Sequence, residues 1–296
     1  MSVLMIFIDG IGIGENDPDR NPFARFPHPI FSHFKDSPAD TLPGDGLLVS
    51  TDVAMDVPGL PQSATGQTAL LTGVNAAQAL GHHRSGFPSP TLRKILQAHS
   101  VFLKLQKAGL TGTFANAFTP EYLRRPDGRL SATTWSVKVS SFPFRFLRPH
   151  LWQGTAISHD LTNRFLTTLG HRVPLRTPEE AAEILCRLVE TVDFCLFEYF
   201  LTDVVGHSQD FAEAGMLLEA LTRFLDRILL RFDRDRNLLL LTSDHGNFED
   251  LSVSTHTRNA VPTMLWGAGR ERVANAVARI EQITPAILDY LTQPGS

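Results

Sequence analysis

Acidic and imidazole side chains stand close together at several points of this 296-residue sequence. The segment "LTSDHGNFED" has Asp244 and His245 directly after a strongly apolar run, and "LTDVVGHSQD" has His207 four residues after Asp203. His256 lies in "STHTRNAVP", just before another apolar run. A single pair of this kind is usually structural, but several carboxylates and imidazoles at one edge of a sheet can hold two Zn²⁺ or Mn²⁺ ions.

A further acid ends the first apolar run of the chain, "MIFIDGIGIGE", residues 5–15. A dinucleotide-binding loop needs Gly-x-Gly-x-x-Gly, and Glu15 stands where the third glycine belongs. An acid at this point would also repel a pyrophosphate. Asp9 is therefore interpreted either as a residue that ends a strand and caps a turn, or as a carboxylate that binds a metal.

A hydroxyl group that could act as a nucleophile lies in "PQSATGQTALLTG", residues 61–73. Ser63 is typical of a helix N-cap, and Gly73 is typical of the end of the same helix. At the helix N-terminus its oxygen would lie beside free backbone amides, where a phosphoryl group is stabilised. Ser63 could equally serve only as the cap, and Thr65 and Thr68 are alternative hydroxyls.

Short apolar runs that end in Asp or Gly alternate with longer helical patterns, which predicts an α/β fold with a mostly parallel central sheet flanked by helices. The predicted strands are "VLMIFID", "GTFANAF", "DFCLFEYFLTD", "NLLLLTSD" and "VPTMLWG". The predicted helices are "PTLRKILQAHSVFLKLQKAG", "TPEEAAEILCRLVETV", "FAEAGMLLEALTRFLDRILLRF" and "ITPAILDYLTQ". The second of these begins with Thr177, Pro178 and Glu180, which predicts a capping box. Open α/β folds bind ligands where their parallel strands end, so the acids and imidazoles are expected there.

Residues 119–176 interrupt this alternation and are predicted to form an inserted cap on a core made of residues 1–118 and 177–296. The segment holds nine Arg or Lys against three Asp or Glu, a net charge of +6. Such a cap either is a solvated basic surface or attracts an anionic substrate toward an acidic, metal-loaded core. Its aromatic run "SFPFRF" is expected to pack inside the cap.

Composition is typical of a soluble globular protein, with 43% hydrophobic and 20% charged residues and a net charge of -4. No apolar stretch reaches the ~18 residues of a membrane span, and the run from Val3 to Ile8 lacks the basic flank of a signal peptide. A cytoplasmic protein is therefore expected. Cys186 and Cys195 have no CxxC spacing and are expected to be buried thiols. The sequence has no basic run with interleaved aromatic residues of the kind that would indicate nucleic-acid binding. The oligomeric state is left open.

Taken together, these motifs resemble those of a known family, the metalloenzyme domain of the alkaline phosphatase superfamily. Within that family, the sequence most resembles cofactor-independent phosphoglycerate mutase and phosphopentomutase. The motifs that carry the resemblance follow one another in the family's order: Asp9-Gly10, Ser63-Ala-Thr-Gly66-Gln67, Asp203-Val-Val-Gly206-His207, Asp244-His245-Gly246-Asn247 and Thr255-His256.

The resemblance implies a two-metal site and a serine nucleophile. It implies a first ligand set of Asp9, Ser63, Asp244 and His245, and a second ligand set of Asp203, His207 and His256. The ions would be Zn²⁺ or Mn²⁺, with Mg²⁺ as a further option, and Ser63 would form a phosphoserine. Asn75 and Arg84, which follow the nucleophile helix, are weaker candidates for contacts with the substrate.

Two departures from the mutase pattern bear on the reaction. Gln67 stands where the mutases have histidine, and the predicted cap is far smaller than the domain that phosphoglycerate mutase uses to reorient its substrate. Both favour a phosphatase or phosphodiesterase that acts on a small phosphorylated substrate, without nucleic acid or membrane. A small phosphomutase and a non-catalytic metal-binding module remain as alternatives.

Overall fold

Seven strands form one central sheet in the computed structural model, which describes residues 1–35 and 41–293. Their order across the sheet is β2-β3-β9-β8-β1-β7-β4. The strands are β1 (Val3–Ile8), β2 (Thr41–Leu42), β3 (Gly46–Thr51), β4 (Gly112–Phe114), β5 (Ala117–Phe118), β6 (Arg145–Phe146), β7 (Phe194–Tyr199), β8 (Leu238–Thr242) and β9 (Val261–Gly267). β5 and β6 pair with each other in a separate small sheet.

Helices pack against both faces of the central sheet. They are α1 (Pro22–Arg25), α2 (Ser63–Thr72), α3 (Ala76–Leu80), α4 (Pro90–His99), α5 (Val101–Lys107), α6 (Pro120–Leu123), α7 (Ala132–Lys138), α8 (Arg164–Thr168), α9 (Pro178–Val189), α10 (Leu201–Ser208), α11 (Phe211–Arg231), α12 (Arg270–Ala276) and α13 (Ile283–Thr292). Short helical turns lie at Asp127–Arg129, Leu147–Leu151 and Ile280–Gln282.

The predicted α/β fold with a mostly parallel central sheet is confirmed. β1 runs parallel to both of its neighbours, β7 and β8, and β4 runs parallel to β7. β9 runs antiparallel to β8 and to β3. Five of the seven strands therefore point in one direction, and only β9 and β2 run the other way.

The reversed direction of β9 brings His256 to the functional edge of the sheet. Asp9 and Asp244 follow β1 and β8, so they lie where those two strands end. His256 instead precedes its strand, and in a parallel sheet it would lie at the opposite edge. Because β9 is antiparallel to β8, the start of β9 lies beside the end of β8.

β1 is completely buried because the core lies on both sides of it, as expected for a central strand of an α/β sheet. Leu4, Ile6 and Ile8 pack into the core cluster that includes residues of α9 and α11. Val3, Met5 and Phe7 alternate with them and pack into the cluster that includes residues of α2, α4, α5, α7 and α13. The sheet is thereby fixed between two apolar layers.

Three predicted elements differ from those observed. The run "DFCLFEYFLTD" ends as a strand at Tyr199, so the prediction that Asp203 ends this strand is wrong: Asp203 lies in the first turn of α10. The Thr202 hydroxyl donates to Asp9 O and fixes the start of this helix at the end of β1.

"GTFANAF" forms two strands, β4 and β5. The helix predicted for residues 90–109 divides at Ser100, whose side chain accepts from Phe102 N and caps α5.

Residues 119–176 form α6, α7, β6, α8 and the turns between them. Trp135 and Val137 of α7 join the core cluster of the main sheet. Leu147, Leu151 and Leu166 form a separate small core. The division of the chain into core and inserted cap stays a prediction.

No helix among the described residues is long and apolar enough to cross a membrane. Cys186 and Cys195 are buried free thiols, and burial raises the pKa of each to about 12.

The predicted capping box at α9 is present, since Thr177 Oγ1 accepts from Glu180 N and Thr177 N donates to the Glu180 carboxylate. Thr177→Ala leaves the Glu180 amide without this acceptor. We expect a loss of about 1 kcal/mol in the free energy of unfolding, measured by urea denaturation. Thr168→Ala, an exposed hydroxyl that bonds only within its own turn, is the control. An equal loss of stability in both variants would contradict a stabilising role of the capping box at α9.

Candidate metal centre

Three acids and two imidazoles from separate segments meet at the edge where β1 and β8 end. Asp9, Asp244 and His245 have ligand atoms within 4.8 Å of one another, and so do Asp203, His245 and His256. Asp9, Asp244, His245 and His256 are buried, and Asp203 is partly buried. The convergence expected from the sequence is thus observed in the described part of the chain.

Interatomic distances within the first ligand set fit a small divalent ion. His245 Nε2 lies 3.4 Å from Asp9 Oδ1, 3.5 Å from Asp244 Oδ2 and 3.0 Å from Ser63 Oγ. Four ligands about 2.1 Å from a tetrahedral ion are about 3.4 Å from one another. The oxygen and nitrogen donors are also of the kind that zinc and manganese bind.

The second ligand set has similar separations. His207 Nε2 lies 3.5 Å from Asp203 Oδ2, and His256 Nε2 lies 3.6 Å from Asp203 Oδ1. The two imidazole Nε2 atoms are 3.3 Å apart.

Backbone carbonyls orient both of these imidazoles. His207 Nδ1 lies 2.8 Å from Ser254 O, and His256 Nδ1 lies 2.9 Å from Pro61 O. A carbonyl only accepts hydrogen bonds, so each Nδ1 carries a proton and each Nε2 is the ring nitrogen left to bind a metal ion. Two such nitrogens that face each other fit a shared positive partner, and a hydrogen bond from Nδ1 to a carbonyl is the usual support for metal-binding histidine.

The first ligand set leaves two buried carboxylate oxygens, Asp9 Oδ1 and Asp244 Oδ2, without a hydrogen-bond partner among the described residues. Burial, together with the neighbouring acids, raises the pKa of Asp9 well above its usual value. Burial raises the pKa of Asp244 to about 7. Unpaired buried carboxylates are costly unless a cation or a proton neutralises them. A divalent cation fits this position.

His245 is held neutral at the centre of this group. Burial lowers its pKa to about 3, and its ring stacks on His256 with centroids 3.7 Å apart. A neutral imidazole is the form that binds metals.

Motif glycines let the ligand segments approach one another closely. Gly10 has φ +73, and a Cβ on it would lie 2.8 Å from Asp203 Oδ1. A Cβ on Gly66 would lie 2.6 Å from Asp244 O, and one on Gly206 would lie 2.6 Å from the Asn247 amide carbon. A side chain at any of these positions would push two ligand segments apart.

Ser63 is the first residue of α2, and its side chain faces the cluster. The N-cap is Gln62, so the prediction that Ser63 caps the helix is wrong. Its hydroxyl instead lies 3.0 Å from His245 Nε2. The alternative hydroxyls are engaged elsewhere, since Thr65 donates to Gln62 O and Thr68 donates to Ala64 O. The predicted end of α2 at Gly73 is observed, with φ +73.

Gln67, the departure from the mutase pattern, lies inside the cluster. Its side-chain amide donates to Asp9 Oδ2 over 3.1 Å. The other oxygen of Asp9, Oδ1, has no hydrogen-bond partner among the described residues.

The two weaker candidates lie near the nucleophile helix but differ in their contacts. Asn75 caps α3 through Gln78 N and donates to Met55 O, so its side chain is used in local structure. Arg84 is exposed, and its backbone pairs with Thr65 near the start of α2. Arg84 thus stays available to a ligand.

Glu249 is a buried carboxylate that joins three of the loops carrying candidate ligands, and the sequence motifs did not predict this role. It accepts from Gly12 N and Asn247 N at 2.8 Å each, from Asn259 Nδ2 at 2.8 Å, and from the Thr257 hydroxyl. These donors come from the loops after β1 and β8 and the loop before β9. "DHGNFE" contains this acid, but nothing in the local pattern indicates its distant partners.

Glu198, a buried acid within β7, is a second residue that the sequence motifs did not predict. Thr133 Oγ1 of α7 donates to its carboxylate over 2.9 Å. Burial, with a contribution from Asp244, raises the pKa of Glu198 to about 7. An acid inside an apolar strand was the available signal.

Part of the chain is similar in sequence to known proteins. Residues 172–293 match the family model of the Metalloenzyme superfamily. A 2,3-bisphosphoglycerate-independent phosphoglycerate mutase of Moorella thermoacetica is 28% identical over 124 residues, which cover 40% of this chain and 24% of that protein. The resemblance predicted from the motifs is confirmed. Because the match spans about a quarter of that relative's length, its whole activity does not transfer directly.

Solved structures share the fold. A protein of Pyrococcus horikoshii superposes with a TM-score of 0.59 at 13% identity, over 100% of this chain and 98% of that one. A cold-active alkaline phosphatase of Shewanella superposes with a TM-score of 0.51 at 12% identity, over 99% and 100%. At such identities the likeness describes the fold alone.

The four hydrogen bonds that Glu249 accepts predict that the folded state depends on both of its side-chain oxygens as acceptors. Glu249→Gln turns one acceptor oxygen into a donor, which leaves buried donors without a partner. We expect a loss of about 2 kcal/mol or more in the free energy of unfolding, measured on metal-free protein. The control is Asp250→Asn, the adjacent acid, whose ion pair with Arg20 is partly exposed. Equal losses in the two variants would contradict the role of Glu249 in joining the three loops.

The raised pKa of Glu198 predicts a pH dependence of stability in the metal-free protein. The usual pKa of 4.5 rises to about 7 in the fold, so the folded chain holds the proton more tightly. The resulting stabilisation is complete below the unfolded pKa and is lost as the pH rises through the folded pKa. Glu198→Gln cannot ionise and should flatten the decline between about pH 5 and about pH 8, followed by urea denaturation. If the free energy of unfolding of Glu198→Gln fell with pH as steeply as that of the wild-type protein, Glu198 would not be the group responsible.

Proposed function

We propose that this chain is a metal-dependent phosphoryl-transfer enzyme, a phosphatase or phosphodiesterase whose nucleophile is Ser63. The observation that carries the proposal is the position of the Ser63 hydroxyl, which lies 3.0 Å from His245 Nε2 at the start of α2. An N-terminal turn of a helix also favours the negative charge of a phosphoryl group.

The proposed centre holds two divalent ions, Zn²⁺ or Mn²⁺ or, failing these, Mg²⁺. Asp9, Ser63, Asp244 and His245 would hold one of them. Asp203, His207 and His256 would hold the other. Unpaired carboxylate oxygens and carbonyl-oriented imidazoles support this assignment.

Bound divalent ions supply a lowered pKa for the serine hydroxyl and positive charge against the phosphate oxygens. In the first step a bond forms between Ser63 Oγ and phosphorus, and the bond from phosphorus to the leaving oxygen breaks. The serine hydroxyl loses its proton in this step and the leaving oxygen gains one, so the leaving group departs as the alcohol. In the second step water attacks the phosphoserine, inorganic phosphate or a monoester leaves, and the serine hydroxyl is restored.

The chain's own residues prepare this chemistry. Gln67 fixes one oxygen of Asp9, and Asn247 Nδ2 donates to Asp203 Oδ1 over 2.7 Å. Both contacts reduce the reorganisation that the carboxylates need when an ion binds. The basic residues of the predicted cap, 119–176, would draw an anionic phosphate ester toward the centre.

Two alternatives are separated by their products. A small phosphomutase is suggested by the relative named phosphoglycerate mutase, and it would yield an isomerised phosphate ester without free phosphate. A metal-binding module without catalysis would yield neither. Gln67 in place of histidine favours the hydrolase.

Ser63→Ala tests the proposed nucleophile. With Mn²⁺ or Zn²⁺ present and a panel of phosphate esters, release of inorganic phosphate should fall by about a thousandfold or more, because no group remains to form the covalent intermediate. Metal binding and the unfolding midpoint should change little. Ser85→Ala, in the exposed loop nearby, is the control and should keep full activity. Retained turnover in the Ser63 variant would overturn the assignment.

Elemental analysis tests the proposed ions. Protein exposed to Mn²⁺ or Zn²⁺ and then freed of excess metal should retain about two ions per chain. Asp203→Asn should reduce this number, because it removes the charge of the second ligand set, and chelation should abolish turnover. Absence of metal from the wild-type protein would refute the metal-dependent mechanism.

A further inference from the structure

Three aromatic rings form a row between the predicted cap and α10. The ring of His159 stacks on that of Phe200, with centroids 4.3 Å apart and planes 23° apart. The ring of Phe165 packs edge to face against the same His159 ring, with centroids 5.0 Å apart and planes at 69° to each other. We call these three residues the aromatic row.

Helical spacing places one end of the aromatic row beside the proposed second ligand set. Phe200 is the N-cap of α10, and Val204 N bonds to Phe200 O. Residues three, four and seven positions apart lie on one side of a helix. Phe200, Asp203, Val204 and His207 therefore share one side of α10, and two of these four are proposed metal ligands.

This side of α10 is open to solvent. Val204 is 52% exposed, and the His207 side chain is 45% exposed. Phe165, at the far end of the row, is 45% exposed. Neither Phe165 nor Phe200 belongs to a hydrophobic core cluster of the described residues. The Phe165 ring is thus exposed and the Phe200 ring is partly exposed, whereas most phenylalanines of the chain are part of a core.

Local contacts hold the aromatic row in place. Asp160 accepts from Asn163 N at 3.1 Å and from Phe165 N at 2.8 Å, which fixes the start of α8 and the position of the Phe165 ring. Burial lowers the pKa of His159, so the middle ring is neutral. His159 Nε2 is buried and has no hydrogen-bond partner among the described residues. The row is an uncharged, preformed aromatic surface.

We infer that the aromatic row binds the leaving group of the substrate, and that this group is aromatic or otherwise flat and apolar. The inference rests on the proposed phosphoryl-transfer function and specifies its substrate class, an ester between phosphate and an alcohol that carries such a group. The phosphate would lie at the metal centre, and the leaving group would extend along α10 toward the cap. Stacked and edge-to-face rings attract one another beyond their buried area.

Two phosphate esters whose leaving alcohols have similar acidity provide the test, benzyl phosphate and ethyl phosphate. Wild-type protein loaded with Mn²⁺ should show a kcat/KM about tenfold higher for the benzyl ester, because only that ester reaches the row. Phe200→Ala should lower kcat/KM for benzyl phosphate by about two- to tenfold and leave ethyl phosphate unchanged, because Phe200 is the ring of the row nearest to Asp203. Phe200→Leu keeps an apolar side chain and should lose the same preference.

The control is Phe26→Ala, an exposed phenylalanine whose ring lies against Gly215 on another part of the surface. It should leave both esters unaffected. An equal loss for both esters in the Phe200 variants would show that the row only braces the cap, and the inference would be overturned. Equal kcat/KM values for the two esters in the wild-type protein would overturn it as well.

A binding measurement separates this inference from the proposed function. Benzylphosphonate and ethylphosphonate, which cannot be hydrolysed, are titrated calorimetrically into the metal-loaded protein. If no ester is turned over but benzylphosphonate binds more tightly, and Phe200→Leu removes the difference, the aromatic subsite stands and the hydrolase proposal fails. If the two phosphonates bind equally, the subsite is refuted whatever the activity.

Discussion

The close approach of two buried carboxylates is the constraint on which the rest of this structure depends. Asp9 and Asp244 both contact His245, and each retains a buried oxygen without a hydrogen-bond partner among the described residues. Such an arrangement is unfavourable unless positive charge or protons compensate it. The fold must therefore supply enough stability elsewhere to hold the segments together. The fully buried β1 and its two parallel neighbours provide that support.

Two glycines and the buried acid Glu249 let the loops approach one another at the edge of this sheet. Gly66 and Gly206 allow helices α2 and α10 to approach the loop after β8 more closely than any side chain would permit. Glu249 then ties that loop to the loops after β1 and before β9. The same contacts that stabilise the loops also orient the groups proposed to bind metal, so stability and chemistry share one set of interactions.

The fold by itself does not select the reaction. At 12% identity an alkaline phosphatase has a similar architecture, and a phosphoglycerate mutase matches part of the sequence. Functions differ among proteins of one fold through the residues of the site. The residues proposed to do this here are Ser63, whose hydroxyl lies 3.0 Å from His245 Nε2, Gln67, whose amide donates to Asp9, and the aromatic row at α10.

The sequence alone determined the alternation of strands and helices, the capping box at Thr177 and the order of the ligand motifs, because these are short-range patterns of polarity and residue type. Tertiary structure decided the rest. The antiparallel direction of β9 brings His256 to the others, Gln62 rather than Ser63 caps α2, and Glu249 and Phe200 find their partners. Most of these contacts join segments that are far apart in the chain. The start of α2 is instead a choice between two adjacent residues, Gln62 and Ser63. Close packing of the whole fold decides which contact forms, and no local pattern records that choice.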